Sequence, residues 1–185
     1  MNTSTTTQVN VIVIGAGMAG IGVVHNLQKQ GITALAIDHK EPYPDVFRAE
    51  KIEPDQAILM KKLGMFDFRV PHMEPMGYTI NYRDGRLTKY DTIEQYGINY
   101  GDTINSLRRH LLDEDNFRVS KIDSITNTPS RQTVVLNDGT NISAKLVVIA
   151  TGGTSQLTKN LDLSKRPNLS LITFNAGFYL KPAAG

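Results

Sequence analysis

Apolar and polar positions along this chain fall into runs whose spacing lays out its elements. Val9-Asn10-Val11-Ile12-Val13-Ile14 is short, β-branched and nearly all apolar, the pattern of a parallel strand buried on both faces. From Met18 to about Gln30 the spacing predicts a helix that Gly31 ends, and Thr33 to Ile37 is a second strand-forming run. His39 to Ala49 holds two prolines and reads as an extended loop carrying Arg48. Glu53-Pro54 opens another helix, with an apolar stripe expected at Ile58, Leu59, Lys62 and Leu63 and a stop at Gly64. Tyr78 to Tyr82 alternates as a strand, Asp84-Gly85 is a strong hairpin turn, and Arg86 to Tyr90 returns. Tyr78, Ile80 and Tyr82 share one face of that hairpin, as pocket lining or as a simple packed face. Ile104, Leu107, Leu111 and Leu112 form the stripe of an amphipathic helix whose expected cap is Asp102 or Thr103. Phe117 to Ile125, Thr133 to Leu136 and a turn at Asp138-Gly139 predict a small β-meander. Leu146 to Ala150 is again wholly apolar and predicts a parallel strand returning to the main sheet. It ends in Thr151-Gly152-Gly153, at the carboxyl edge where α/β sheets bind ligands. Leu169 to Leu180 reads as one more strand or two, and the chain shows no internal repeat.

The first strand and helix are joined by Gly15, Gly17 and Gly20 at G-x-G-x-x-G spacing. Each glycine has a separate task in a dinucleotide site: a tight turn, close backbone approach to a pyrophosphate, and close packing of helix on strand. The helix then offers its N-terminal N–H groups, around Met18 and Ala19, to a phosphate. Asp38 ends the second strand, where a carboxylate accepts hydrogen bonds from ribose hydroxyls and repels a 2′-phosphate. Glycines alone also mark ordinary turns. Strand, glycines, helix, second strand and terminal acid in this order make the dinucleotide reading specific.

Composition narrows the alternatives. A chain of 185 residues with 40% hydrophobic and 21% charged residues is that of one globular domain with room for a small insertion. No apolar run approaches the ~20 residues that span a bilayer, and Met1 to Gln8 lacks the apolar core of a signal peptide. The expected location is the cytoplasm. With no cysteine, disulfides, thiolate chemistry and Cys-based metal sites are excluded, and no acid or histidine cluster has metal spacing. A formal charge of +2 does not argue for nucleic acid, and Lys61-Lys62 and Arg108-Arg109 read as solvated helix faces. His25, His39, His72 and His110 read as surface or satisfied histidines rather than catalysts.

The order of these parts resembles the FAD-dependent aromatic hydroxylases of the p-hydroxybenzoate hydroxylase and ubiquinone-biosynthesis type, over most of the chain. GAGMAG with Asp38 resembles the unit that binds the ADP half of FAD. Arg48, in FRAEKIEPDQAILMKKLGMFD, resembles the arginine that follows the second strand and lies near flavin and pyrophosphate. YGDTINSLRRHLL is similar to the family's helix in which the residue at Asp102 touches the cofactor, and LNDGTNISAKLVVIATG to its meander and return strand. The resemblance implies an α/β fold: a Rossmann-like FAD-binding domain of the GR2 type over residues 9–70 and 98–155, behind a disordered tail at 1–8. An inserted antiparallel hairpin at 71–97 and the segment 165–185 would form part of a substrate-binding sheet. Cofactor contacts are expected from Gly15, Gly17, Met18, Ala19, Gly20, Asp38, His39, Arg48, Asp102, Thr151 and Gly152.

By the same resemblance the flavin carries the chemistry, through a C4a-hydroperoxide that transfers oxygen to an aromatic or unsaturated small molecule, while protein groups bind, orient and exclude water. That agrees with the absence of a catalytic dyad in the sequence. Where the hydroxylases carry Asp-Gly after the return strand, Thr151-Gly152 stands here. Ala-Thr-Gly at this place is common among halogenases, styrene-type monooxygenases and isoprenoid reductases, so electrons come either from NAD(P)H or as reduced flavin from a partner reductase. The family's Gly-Asp motif for the ribityl chain has no counterpart before Gly185, and a missing C-terminal portion is therefore expected. Two alternatives remain: another flavoenzyme, such as a flavin-dependent halogenase, a styrene-type monooxygenase or an isoprenoid reductase, and a non-catalytic, truncated nucleotide-binding module.

Overall fold

The computed structural model describes residues 7–46, 51–66, 70, 73–91, 94–152 and 157. The chain divides into two units, Met1–Gly152 and Gly153–Gly185, and all the described residues but Leu157 belong to the first. In chain order the elements are β1 (Thr7–Ile14), α1 (Met18–Lys29), β2 (Ala34–Asp38), β3 (Lys51–Ile52), α2 (Pro54–Leu63), β4 (Glu74–Pro75), β5 (Tyr78–Arg83), β6 (Arg86–Asp91), β7 (Tyr96–Gly97), α3 (Tyr100–Leu111), β8 (Phe117–Val119), β9 (Ile122–Asn127), β10 (Gln132–Leu136) and β11 (Asn141–Ile149).

The main sheet runs β8-β2-β1-β11-β10-β9. Its first four strands are parallel: Ala36 lies opposite Phe117, Val13 opposite Ala36, and Val13 again opposite Val148. β10 and β9 then continue antiparallel. The nine residues of β11 serve both halves, since Asn141–Ala144 pairs with β10 while the strand follows β1 from Thr7 to Ile14. Meander and return strand are thus one continuous sheet. The apolar run of β1 is explained by burial on both faces: Val11 and Val13 join Ile21, Val24, Ile104 and Leu107 in the core with α1 and α3, while Ile12 and Ile14 are buried on the other side.

Three sequence expectations change. Phe117 to Ile125 is not one meander strand. It splits at Ser120, whose N–H donates to the Asp38 carbonyl (2.8 Å) and whose hydroxyl donates to Asn137, so that Phe117–Val119 becomes the parallel edge of the main sheet. Only partners across the ladder decide this, because alternation reads the same on either side of the break. In α2, the capping box of Glu53 and Gln56, Pro54 at the first turn and left-handed Gly64 (φ +70) set the ends as expected. The buried residues, however, are Ala57 and Met60, with Leu63 packed against the core, whereas Ile58 and Leu59 are 60% and 54% exposed. The helix thus turns Ala57 and Met60 inward and leaves the apolar side chains at 58 and 59 outside. Third, α3 is capped by Asn99, whose Oδ1 accepts the Asp102 N–H at 3.0 Å, and not by Asp102 or Thr103.

The hairpin forms as read. Asp84 (φ +52) and Gly85 (φ +74) are both left-handed, the conformation a two-residue turn between twisted strands requires. Its Tyr78, Ile80, Tyr82 and Leu87 are exposed, Tyr82 to 75%. Lys89 lies over the Tyr78 ring at 4.2 Å. Leu169 to Leu180 lies outside the described residues.

Candidate dinucleotide-binding site

The turn from β1 into α1 sits between the carboxyl ends of three parallel strands. Gly15 N–H donates to the Ile37 carbonyl of β2, and Ala150 N–H, just past β11, donates to the Ile14 carbonyl, both at 2.7 Å. The three glycines meet three different constraints. Gly15 is left-handed (φ +101), and a β-carbon there would lie 2.5 Å from the Ala150 oxygen. Gly20 faces the turn from inside α1, where a β-carbon would fall 1.8 Å from the Gly15 oxygen. Gly17, the helix N-cap, has ordinary extended backbone (φ −81, ψ −172), and a β-carbon on it would meet nothing within 4 Å. The need for glycine at position 17 therefore comes from no neighbour among the described residues. No side chain caps α1 and no acid stands in its first turn, so the N-terminal N–H groups around Met18 and exposed Ala19 keep their partial positive charge for an external anion.

Asp38 ends β2 beside this turn, as expected, but much of its carboxylate is committed inside the protein. Oδ2 accepts the Ala16 N–H at 2.9 Å and a hydrogen bond from Arg108 Nη2 at 2.8 Å, and Oδ1 accepts the Lys40 N–H at 3.0 Å. The side chain is 10% exposed. His39 follows it on the surface, its Nδ1 3.6 Å from Oδ1.

Arg108 corrects the reading of Arg108-Arg109 as a solvated pair: Arg109 is exposed, Arg108 is buried. A buried guanidinium needs an acceptor for each face of its fork. Nε donates to the Ala16 carbonyl at 2.8 Å, Nη1 to the Lys40 carbonyl, and Nη2 to Asp38. The Tyr43 and Phe117 rings lie 5.3 and 5.1 Å from it. Its sequence signal was its place four residues after Ile104 and one after Leu107, inside the apolar stripe of α3. Asn105, also missed, closes the loop after β2 onto the helix: its Oδ1 accepts the Tyr43 N–H at 2.7 Å and its Nδ2 donates to the Tyr43 carbonyl at 3.0 Å.

The structure thus brings Gly15, Gly17, Met18, Ala19, Gly20, Asp38 and His39 to one sheet edge. Thr151 abuts them, its Cα 3.1 Å from where a Gly15 β-carbon would stand, and its Oγ1 is buried with no hydrogen-bond partner among the described residues. Gly152 follows in left-handed conformation (φ +79). Asp102 lies in the first turn of α3, partly exposed. Arg48 lies outside the described residues. Among the described residues no group of acids and histidines could hold a metal, and no helix is long and apolar enough to cross a membrane.

A parallel sheet with a glycine turn, an uncapped helix N-terminus and an acid after the second strand defines a Rossmann-like dinucleotide-binding protein. Comparison with known proteins places it further. The family model described as "Lycopene cyclase protein" matches residues 10–177, and the chain belongs to that family. The FAD-dependent monooxygenase penM of Penicillium crustosum is 26% identical over 157 residues, covering 78% of this chain and 34% of that protein. Squalene monooxygenase of Rattus norvegicus is 26% identical, covering 99% of this chain and 35% of its own length. Among solved structures, the rebeccamycin biosynthetic enzyme RebC with reduced flavin superposes with a TM-score of 0.70 at 15% identity, over 84% of this chain and 35% of that one. A tetracycline destructase does so with a TM-score of 0.60 at 20% identity, over 82% of this chain and 40% of its own. The structural likeness establishes the expected Rossmann-like fold, and the relatives by sequence include FAD-dependent monooxygenases, as the resemblance implied. The chain spans about a third of the length of the curated relatives it matches.

Proposed function

We propose that this chain is the FAD-binding part of a flavin-dependent monooxygenase. The observation that carries the reading is the pairing of an open Gly17 with an uncapped α1 N-terminus in a chain whose sequence relatives are named as FAD-dependent monooxygenases. The residues present fit the cofactor. Gly15, Gly17 and Gly20 let the turn lie against a pyrophosphate, and the N–H groups at Met18 and Ala19 receive its charge. Asp38 keeps lone-pair capacity on Oδ1 for a ribose hydroxyl, with His39 beside it. Thr151 and Gly152 adjoin the turn at the carboxyl end of β11 and are assigned to the cofactor by the family resemblance. Arg48 and Asp102 are assigned by family resemblance to the pyrophosphate and flavin side. These contacts draw on the segments 9–70 and 98–155, leaving the hairpin region to the substrate side.

FAD, when bound, supplies activation of O2 and transfer of one oxygen atom to an electron-rich or unsaturated small molecule. The task of this chain's residues is to hold the nucleotide, orient it and keep water from the turn. Because the chain corresponds to about a third of such a relative, oxygen transfer is proposed for the assembly with the remaining portion, with reducing equivalents from a flavin reductase or NAD(P)H, in the cytoplasm. The test is a titration of the purified chain with FAD, followed by flavin fluorescence. Weak but saturable binding, competed by ADP, is expected; absence of binding by both would remove the assignment.

A further inference from the structure

Arg108 does more than fill the core between α3 and β2. Its Nε holds the Ala16 carbonyl at 2.8 Å, while Asp38 Oδ2, bonded to Arg108 Nη2, holds the Ala16 N–H at 2.9 Å. Both peptide planes that flank Ala16 are therefore pinned by one buried ion pair. In a planar trans peptide the C=O and the following N–H point in opposite directions. Fixing the Ala16 carbonyl on the guanidinium turns the Gly17 N–H away from the core. Fixing the Ala16 N–H on Asp38 turns the Gly15 carbonyl away from β2, and its oxygen indeed lies under Gly20.

We propose that Arg108 is a positioning residue for the nucleotide: with Asp38 it sets the direction of the Gly17 N–H, and so presents the glycine turn to a diphosphate without touching it. The proposal rests on the FAD-binding reading above. A lysine would keep the charge beside Asp38 but, with a single nitrogen, could not hold the Ala16 and Lys40 carbonyls as well. A mere core role would lower stability everywhere. A positioning role acts locally, on the turn and on the phosphate end of the ligand.

Arg108→Lys separates the two, with Asp38→Asn/Arg108→Gln as the second variant, since a buried pair neutralised on both sides is often tolerated. In the nucleotide-free protein, amide hydrogen exchange at Ala16 should speed at least ~10-fold in Arg108→Lys while Val13 in β1 keeps its wild-type rate, as expected for local rather than global opening. Affinities for FAD and for ADP should fall by one common factor of roughly 10, the loss of one charge-assisted contact. Acceleration of Ala16 and Val13 together, an unchanged Ala16 rate, wild-type affinity in the variant, or collapse of both variants would overturn the proposal. A wild-type chain that binds neither FAD nor ADP would instead sink the FAD-binding reading.

Discussion

Gly20 sits directly on Gly15: a β-carbon at position 20 would come within 1.8 Å of the Gly15 carbonyl oxygen, a contact that backbone cannot relieve by a small shift. Replacing a glycine inside a helix by alanine ordinarily gains about 1 kcal/mol. Here overpacking against β1 reverses the sign, and Gly20→Ala should cost about 3 kcal/mol. Thermal denaturation reads this as a Tm lower by roughly 10 °C for a chain of this size. A wild-type Tm would show that α1 does not pack on the turn as described.

Gly17 should behave oppositely. Its backbone is open to any residue and no described residue stands within 4 Å of an added β-carbon, so Gly17→Ala and Gly17→Val should leave thermal stability within about 1 kcal/mol of wild type. A side chain there stands where the pyrophosphate is proposed to lie. FAD titration should show binding reduced at least ~10-fold by the alanine, which is about 1.4 kcal/mol, and abolished by the valine. Undiminished FAD binding by Gly17→Val would place the cofactor elsewhere.

Asp38→Ala is expected to fail as a clean ligand-binding variant. Removing the carboxylate leaves the Arg108 cation buried, 3% exposed at its side chain, without its counter-charge. Breaking such a pair from one side costs about 3 kcal/mol, so the variant should unfold at clearly lower urea concentration as well as lose FAD affinity. Asp38→Asn, which keeps an acceptor for the Ala16 N–H, should recover part of the stability. Equal urea midpoints for wild type and Asp38→Ala would mean that the pair contributes nothing.

The pH dependence of stability should carry a contribution from His25. Burial first, and then the Lys29 ammonium, hold its pKa below the ordinary value of 6.5. The folded state thus favours the neutral ring, so the unfolded chain binds the proton more readily. This contribution is fully present above 6.5 and is lost as pH falls through the lower folded-state value. His25→Gln should flatten the urea midpoint between about pH 7 and 5 relative to wild type; parallel curves for both proteins would remove His25 as the cause.

Thr151, where the hydroxylases carry aspartate, motivates an expectation about electron supply. NADPH alone should reduce the flavin-loaded protein slowly, and a flavin reductase should accelerate the step. Stopped-flow reduction by NADPH at a rate of ordinary turnover, on the order of 10 s⁻¹, would contradict it.

The sequence by itself determined the βαβ unit and its turn. Short, mainly apolar strand-forming runs at Val9–Ile14 and Leu146–Ile149, glycines at fixed spacing and Asp84-Gly85 are local instructions, because each restricts the backbone within a few residues. What tertiary structure alone decided is which of several equivalent faces turns inward. Arg108 and Arg109 are neighbours of the same type on one helix, yet the 100° step between them puts one guanidinium under the glycine turn and the other in water. Ile58 and Leu59 are more apolar than Ala57, yet α2 buries the alanine and leaves those two exposed. Asp38 was legible as the acid after the second strand. That its carboxylate grips Ala16 and Arg108, 22 and 70 residues away in the chain, was not, because the partners of a buried charge are chosen by packing across the whole fold.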